Sequence, residues 1–193
     1  MRPEVLNGGY KPATKLLFAV VRLFSGRPLP DAAKLVFYRP DFYGDPSKRF
    51  THLAMRGPSA WSVGDRELMA AVVSRANACA FCIGAHTATS EQAYADRPRV
   101  RAVLADLETA PIEDGLRATL RMVDKLTREG TVGATDMRQV LAAGVSRQQV
   151  EDALAVCAAF NITNRLADAF EFRVLDEEGF AAGAKFLLKR GYQ

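Results

Sequence analysis

Glu67-Leu68-Met69-Ala70-Ala71-Val72-Val73-Ser74-Arg75-Ala76-Asn77-Ala78-Cys79-Ala80-Phe81-Cys82-Ile83-Gly84-Ala85-His86 is the stretch on which the reading of this chain turns. Its first half carries apolar residues at helical spacing, with Leu68, Met69, Val72, Val73 and Ala76 on one side. Glu67 falls nearly opposite them, among Ala70, Ala71 and Ser74. A solvated face would carry longer polar side chains. This small-residue face predicts close approach by another helix and partial burial of Glu67. Desolvation is then expected to raise its pKa toward the range useful for proton exchange.

The second half is read as another helix, starting near residue 78. At about 100° per residue, setting Cys82 at 0° puts Ala93 at about 20°, His86 at about 40°, Cys79 at about 60° and Ser90 at about 80°. One stripe thus holds two thiols and an imidazole. Residues four apart on a helix have Cβ atoms about 5–6 Å apart, so His86 reaches Cys82 directly or through one water. Thiolate rather than thiol is the nucleophile, and a neighbouring base raises its population. Asn77 is expected as the N-cap, which places both cysteines where the helix dipole favours an anion. Cys82 is expected to attack and Cys79 to resolve, because proton transfer needs contact whereas the dipole only biases.

Duller readings compete. A lone Cys-x-x-Cys arises easily by chance, and buried cysteines are commonly inert; His86 in register weakens that explanation. Haem attachment needs a histidine directly after the second cysteine, where Ile83 stands. Structural zinc on Cys79, Cys82 and His86 needs a fourth ligand that nothing nearby supplies. A thioredoxin domain needs a strand before the motif, and a helical pattern is there instead. His52 reads as a loop or packing residue and Cys157 as a core thiol.

Working outward, residues 26–64 are rich in breakers, including Pro28, Pro30, Pro40, Gly44, Pro46, Gly57 and Pro58, and predict short helices and ordered loops. From Ser62 to Phe172 the pattern is helical with almost no strand alternation. Helices are expected at about 63–76, 78–96, 98–108, 113–129, 135–143 and 147–172, with a last short one between Asp176 and Lys189. Ser62 with Asp65, and Ser146 with Gln149, have capping-box spacing, and Gly144 suits a left-handed stop. The expected fold class is all-α.

The 193 residues are 49% hydrophobic and 25% charged, the balance of one ordinary globular domain. The formal charge of +4 is spread without a long basic block, and no nucleic-acid-binding motif is present. The apolar run Leu16–Phe24 is interrupted by Arg22 and is too short to cross a bilayer. It predicts an amphipathic helix docked on the core or on another subunit, with membrane-surface contact the less favoured use. Three cysteines make no secreted disulfide framework, so a reducing, cytoplasmic setting is expected.

Glu67, then Cys79-x-x-Cys82-x-x-x-His86, resembles the active-site motif of the alkylhydroperoxidase D and carboxymuconolactone decarboxylase superfamily. Tyr38-Arg39-Pro40, Met55-Arg56-Gly57-Pro58-Ser59 with Trp61, and Asn161-Ile162-Thr163-Asn164-Arg165 resemble its peroxidase-related branch. The likeness spans about residues 38–172, leaving 1–35 as an N-terminal extension of a single domain, 1–193. The resemblance implies that Cys82 attacks a peroxide oxygen to become a sulfenic acid, which Cys79 resolves to a disulfide. It implies that His86 and Glu67 relay protons, that a dithiol protein is the reductant, and that helices pack across subunits of a homo-oligomer. No cofactor and no metal are expected. Alkylhydroperoxidase D carries a further histidine just before the second cysteine, where this chain has Phe81. Decarboxylases of the same fold do not use the dithiol, which argues against lactone decarboxylation. The expected activity is reduction of hydroperoxides, organic ones among them; a redox-sensing or zinc-binding helical oligomer is the alternative use of the same residues.

Overall fold

The computed structural model describes residues 6–192, and among them there is no strand. The helices are α1 (Pro12–Ser25), α2 (Asp31–Tyr38), α3 (Asp45–Arg56), α4 (Val63–Ala76), α5 (Ala80–Tyr94), α6 (Arg97–Ala105), α7 (Asp114–Glu129), α8 (Ala134–Ala142), α9 (Arg147–Ala169) and α10 (Glu177–Arg190). A short π-helical turn, Pro40–Gly44, joins α2 to α3. The all-α expectation holds. The breaker-rich segment nevertheless holds two full helices, because Pro46 sits in the first turn of α3, where its missing N–H has no intrahelical partner to lose.

Helix α4 is the axis of the core. Every residue from Arg66 to Ser74 is buried, and α5, α7 and α9 pack around it. That explains its weak amphipathicity: a helix covered on all sides has no solvent face to mark with charge. Its start is fixed by the capping box of Ser62 and Asp65, and α9 starts on the matching box of Ser146 and Gln149.

Helix α4 stops at Ala76, as expected, but the turn that follows it differs from the expected one. The Cys79 amide bonds to the Ser74 carbonyl at 3.0 Å and the Ala78 amide to the Arg75 carbonyl at 3.0 Å, a Schellman turn with Ala78 left-handed at φ 56°. Ala95 after α5 and Glu171 after α9 end their helices in the same way, without glycine. Asn77 therefore closes α4 rather than opening α5, and Cys79 itself is the N-cap of α5. The predicted start of α5 at 78 and the predicted end of α9 at 172 overran because no glycine marks these turns.

Helix α10 lies along α5, held by the Gln92 side chain on the Ala181 carbonyl at 2.9 Å. Gly84 permits the approach, since a Cβ there would run into the Phe180 ring. Gly84→Leu is expected to lower stability by about 1–3 kcal/mol through overpacking, read as a lower denaturation midpoint. Helix α1 packs through Phe18 against Tyr10 and Phe37, at ring-centroid distances of 5.0 and 5.5 Å, while Leu16, Leu23 and Phe24 point outward. No helix among the described residues is long and apolar enough to cross a membrane.

Candidate active site

The α4–α5 hairpin brings Glu67, Cys79, Cys82 and His86 into one region. Glu67 is fully buried in the middle of α4, and His86 is one turn beyond Cys82 on α5. His86 Nδ1 lies 2.8 Å from Glu67 Oε2. The imidazole stands edge-on to Phe160 of α9, with ring centroids 4.2 Å apart, which fixes its plane.

Glu67 has two further partners. Arg56, the last residue of α3, donates from Nη2 to Oε1 at 2.6 Å, and the Tyr192 hydroxyl donates to Oε1 and Oε2 at 3.0 and 3.2 Å. Burial alone would raise the Glu67 pKa. The hydrogen bond and charge of His86, then the charge of Arg56, outweigh it and hold the carboxyl below the usual glutamate value. This corrects the expectation of a raised pKa: side-chain size revealed the burial but not the compensating donors. Because the carboxylate only accepts, the hydrogen on His86 faces it from Nδ1, leaving Nε2 as the nitrogen that exchanges a proton.

Both thiols are free and shut from solvent, in a cluster with Leu6, Leu35, Phe81, Ala167 and Phe172. Cys79 lies below the ordinary thiol range, chiefly because the Cys82 thiol donates to it; burial and the nearby Asp168 work against this, and the Cys82 amide adds to it. Cys82 lies well above, held protonated first by that same bond, then by burial and by the charge on Cys79. Of the two thiols Cys79, at the helix N-terminus, is therefore the more easily ionised, whereas sequence reasoning placed the activated thiolate at Cys82.

Asn164 of α9, fully buried, accepts from the Asn77 amide at 2.9 Å and donates to Ser74 Oγ at 3.0 Å, and a hydrogen bond from it eases the Cys82 thiol downward. Sequence reasoning gave Arg56 and Asn164 no role; they stood only within outer matching segments, and Tyr192 carried no signal. His52 lies on α3 rather than in a loop, with Nδ1 accepting from the Tyr192 amide at 3.4 Å. Cys157 is a buried thiol beside Thr127 and Asn161. Among the described residues, no group of three or more His, Cys, Asp or Glu side chains is placed to hold a metal ion.

Residues 46–125 match the family model of the carboxymuconolactone decarboxylase family. Among solved structures, an uncharacterised peroxidase-related protein from Silicibacter sp. TM1040 is 24% identical with a TM-score of 0.76, over 91% of this chain and 92% of that one. A second, described as an alkylhydroperoxidase AhpD core and an uncharacterised peroxidase-related protein from Ralstonia eutropha JMP134, is 22% identical with a TM-score of 0.74, over 95% of each chain. The debrominase Bmp8 is 13% identical with a TM-score of 0.67, over 90% of this chain and 92% of that one. No curated protein sequence matches. These likenesses show a shared fold. Residues 46–125, which hold Arg56, Glu67, Cys79, Cys82 and His86, are thus similar to the carboxymuconolactone decarboxylase family, and the fold of the chain is the all-helical alkylhydroperoxidase D-like one.

Proposed function

We propose that the protein is a thiol-dependent peroxidase that reduces hydroperoxides through a Cys79/Cys82 dithiol–disulfide cycle. The observation that carries this reading is the buried Glu67–His86 bond of 2.8 Å on the same hairpin as two mutually hydrogen-bonded free thiols. His86 Nε2 takes the Cys82 proton, and the Cys82 sulfur attacks a peroxide oxygen. An S–O bond forms, the O–O bond breaks, and the alkoxide leaves as the alcohol with the proton returned by His86. Cys79, already the more acidic thiol, attacks the Cys82 sulfenic acid; the S–S bond forms and hydroxide leaves as water. A dithiol protein then reduces the disulfide by exchange and resets both thiols.

The apolar enclosure of Leu6, Leu35, Phe81 and Phe172 around the sulfurs favours organic hydroperoxides over hydrogen peroxide. A redox-active dithiol suits a reducing, cytoplasmic setting. The outward apolar side chains of Leu16, Leu23 and Phe24 favour assembly of the single domain into a homo-oligomer with helices packed across subunits.

The test is consumption of an alkyl hydroperoxide and of hydrogen peroxide with a dithiol reductant. The wild type is expected to prefer the alkyl substrate. His86→Ala is expected to lose about a hundredfold or more in turnover, the usual contribution of a positioned acid–base group. Unchanged turnover in His86→Ala would sink the relay, and no consumption by the wild type would sink the activity.

A further inference from the structure

Glu67 sits in a clamp whose parts come from both ends of the fold. Arg56 closes α3, and its Nη2 bridges Glu67 Oε1 at 2.6 Å and the Leu187 carbonyl at 3.2 Å. That carbonyl is in the last turn of α10, where the helix dipole attracts a cation. Nη1 is held by the Met55 carbonyl at 2.8 Å. The guanidinium also stacks 5.1 Å from the Tyr192 ring centroid, so the two donors brace one another.

Tyr192 reaches the site by a backbone device. Gly191 has φ 68° and its amide bonds to the Leu187 carbonyl at 2.9 Å, which turns the chain off α10 and back toward α4. A Cβ at Gly191 would lie 2.8 Å from the His52 ring, so a side chain there is excluded by both conformation and space. The ring of Tyr192 packs near Phe160, which in turn lies on His86. One aromatic column thus links the phenol and the imidazole that bond a single carboxylate.

We propose that Arg56 and Tyr192 are positioning residues for the thiol chemistry: by engaging both oxygens of Glu67 they keep the carboxylate ionised and immobile, so that His86 presents Nε2, and only Nε2, as its basic nitrogen. The proposal rests on the relay assigned above, and it concerns the state of one histidine rather than turnover alone. Burial and then the charge of Glu67 push the Tyr192 phenol well above its ordinary value, so it remains a donor throughout the working range. The charged and titratable groups around Glu67 are Arg56 and His52 of α3, Arg66 beside it on α4, Cys82 and His86 of α5, and Tyr192. Of these, the two arms of the clamp can be changed without touching the sulfurs or the imidazole.

The chain has two histidines, so nitrogen NMR of labelled side chains resolves each, and His52 serves as the internal control. Wild-type His86 is expected to show a single Nδ1–H tautomer when neutral. Tyr192→Phe and Arg56→Gln are expected to introduce the Nε2–H tautomer at His86 and leave His52 on its wild-type tautomer. Peroxide turnover is expected to drop about tenfold to a hundredfold, as for other residues that orient a working ligand. The acid limb of the rate profile should move to higher pH once an arm stabilising the anion is lost. An unaltered His86 tautomer and unaltered acid limb in both variants, each shown by helical circular dichroism to be folded at the assay temperature, would overturn the clamp. A tautomer shift in the variants, alongside a wild type that consumes no peroxide, would leave the clamp standing and remove the peroxidase reading. Turnover with no tautomer shift in either variant would do the reverse.

Discussion

Cys82→Ser is expected to abolish peroxide turnover, by about three orders of magnitude or more, while Cys79→Ser stops the cycle after one equivalent of peroxide. Cys79→Ser removes the resolving thiol and leaves Cys82 with His86 one helical turn away; one sulfenic acid should then accumulate at Cys82, trapped by a carbon nucleophile and located by mass spectrometry. The experiment is sharpened by the electrostatics of the pair. A negative charge on the pair is favoured on Cys79, because Cys82 donates to it and because Cys79 sits at the N-terminus of the helix. If that charge selected the attacker, the adduct would appear on Cys79 in the Cys82→Ser variant instead. The roles would then be exchanged, with proximity to the base losing to thiolate stabilisation. Sustained turnover in both variants would remove the dithiol cycle altogether.

How much of this was legible beforehand follows from what kind of interaction each feature depends on. The α4 and α9 starts were readable because Ser62 with Asp65 and Ser146 with Gln149 are local boxes, complete within four residues. The stop after Ala76 was readable too, but the turn at Ala78 and the stop after Ala169 were not, because Ala78 and Glu171 adopt left-handed backbone where the signal to look for is glycine. Missing the first turn put the start of α5 at 78, ahead of Cys79, turning a cap residue into a helical one and a C-terminal Asn77 into an N-cap. The gathering of Glu67, Cys79, Cys82 and His86 survived it, since all four lie on one hairpin within twenty residues. What the residues do to one another did not: the Glu67 pKa depends on burial set against His86 and Arg56, and its third hydrogen-bond partner, Tyr192, is 125 positions away. Long-range donors leave no periodicity in the sequence, so burial could be inferred and its compensation could not.

Glu67→Gln is the substitution in which both stability and chemistry should change most for the loss of one charge. The amide oxygen can still accept from Arg56 and Tyr192, but the amide nitrogen then faces His86 Nδ1, donor against donor. The imidazole relieves this by moving its hydrogen to Nε2, which leaves no basic nitrogen for the Cys82 proton. Turnover is expected to fall by about a hundredfold to ten-thousandfold with the thiols and imidazole intact. Arg56 meanwhile loses its buried counter-charge, and breaking one partner of such a pair costs about 3–5 kcal/mol. The acid dependence carries the sign. Glu67 has a folded-state pKa below its usual 4.5, so its contribution is fully present above that value and disappears as pH falls through the depressed one. Denaturation midpoints of wild type and Glu67→Gln should therefore differ by a constant amount near neutrality and converge in acid. A gap that persists unchanged to low pH would mean that shape, not charge, is what Glu67 supplies, and turnover within twofold of wild type would detach it from the chemistry.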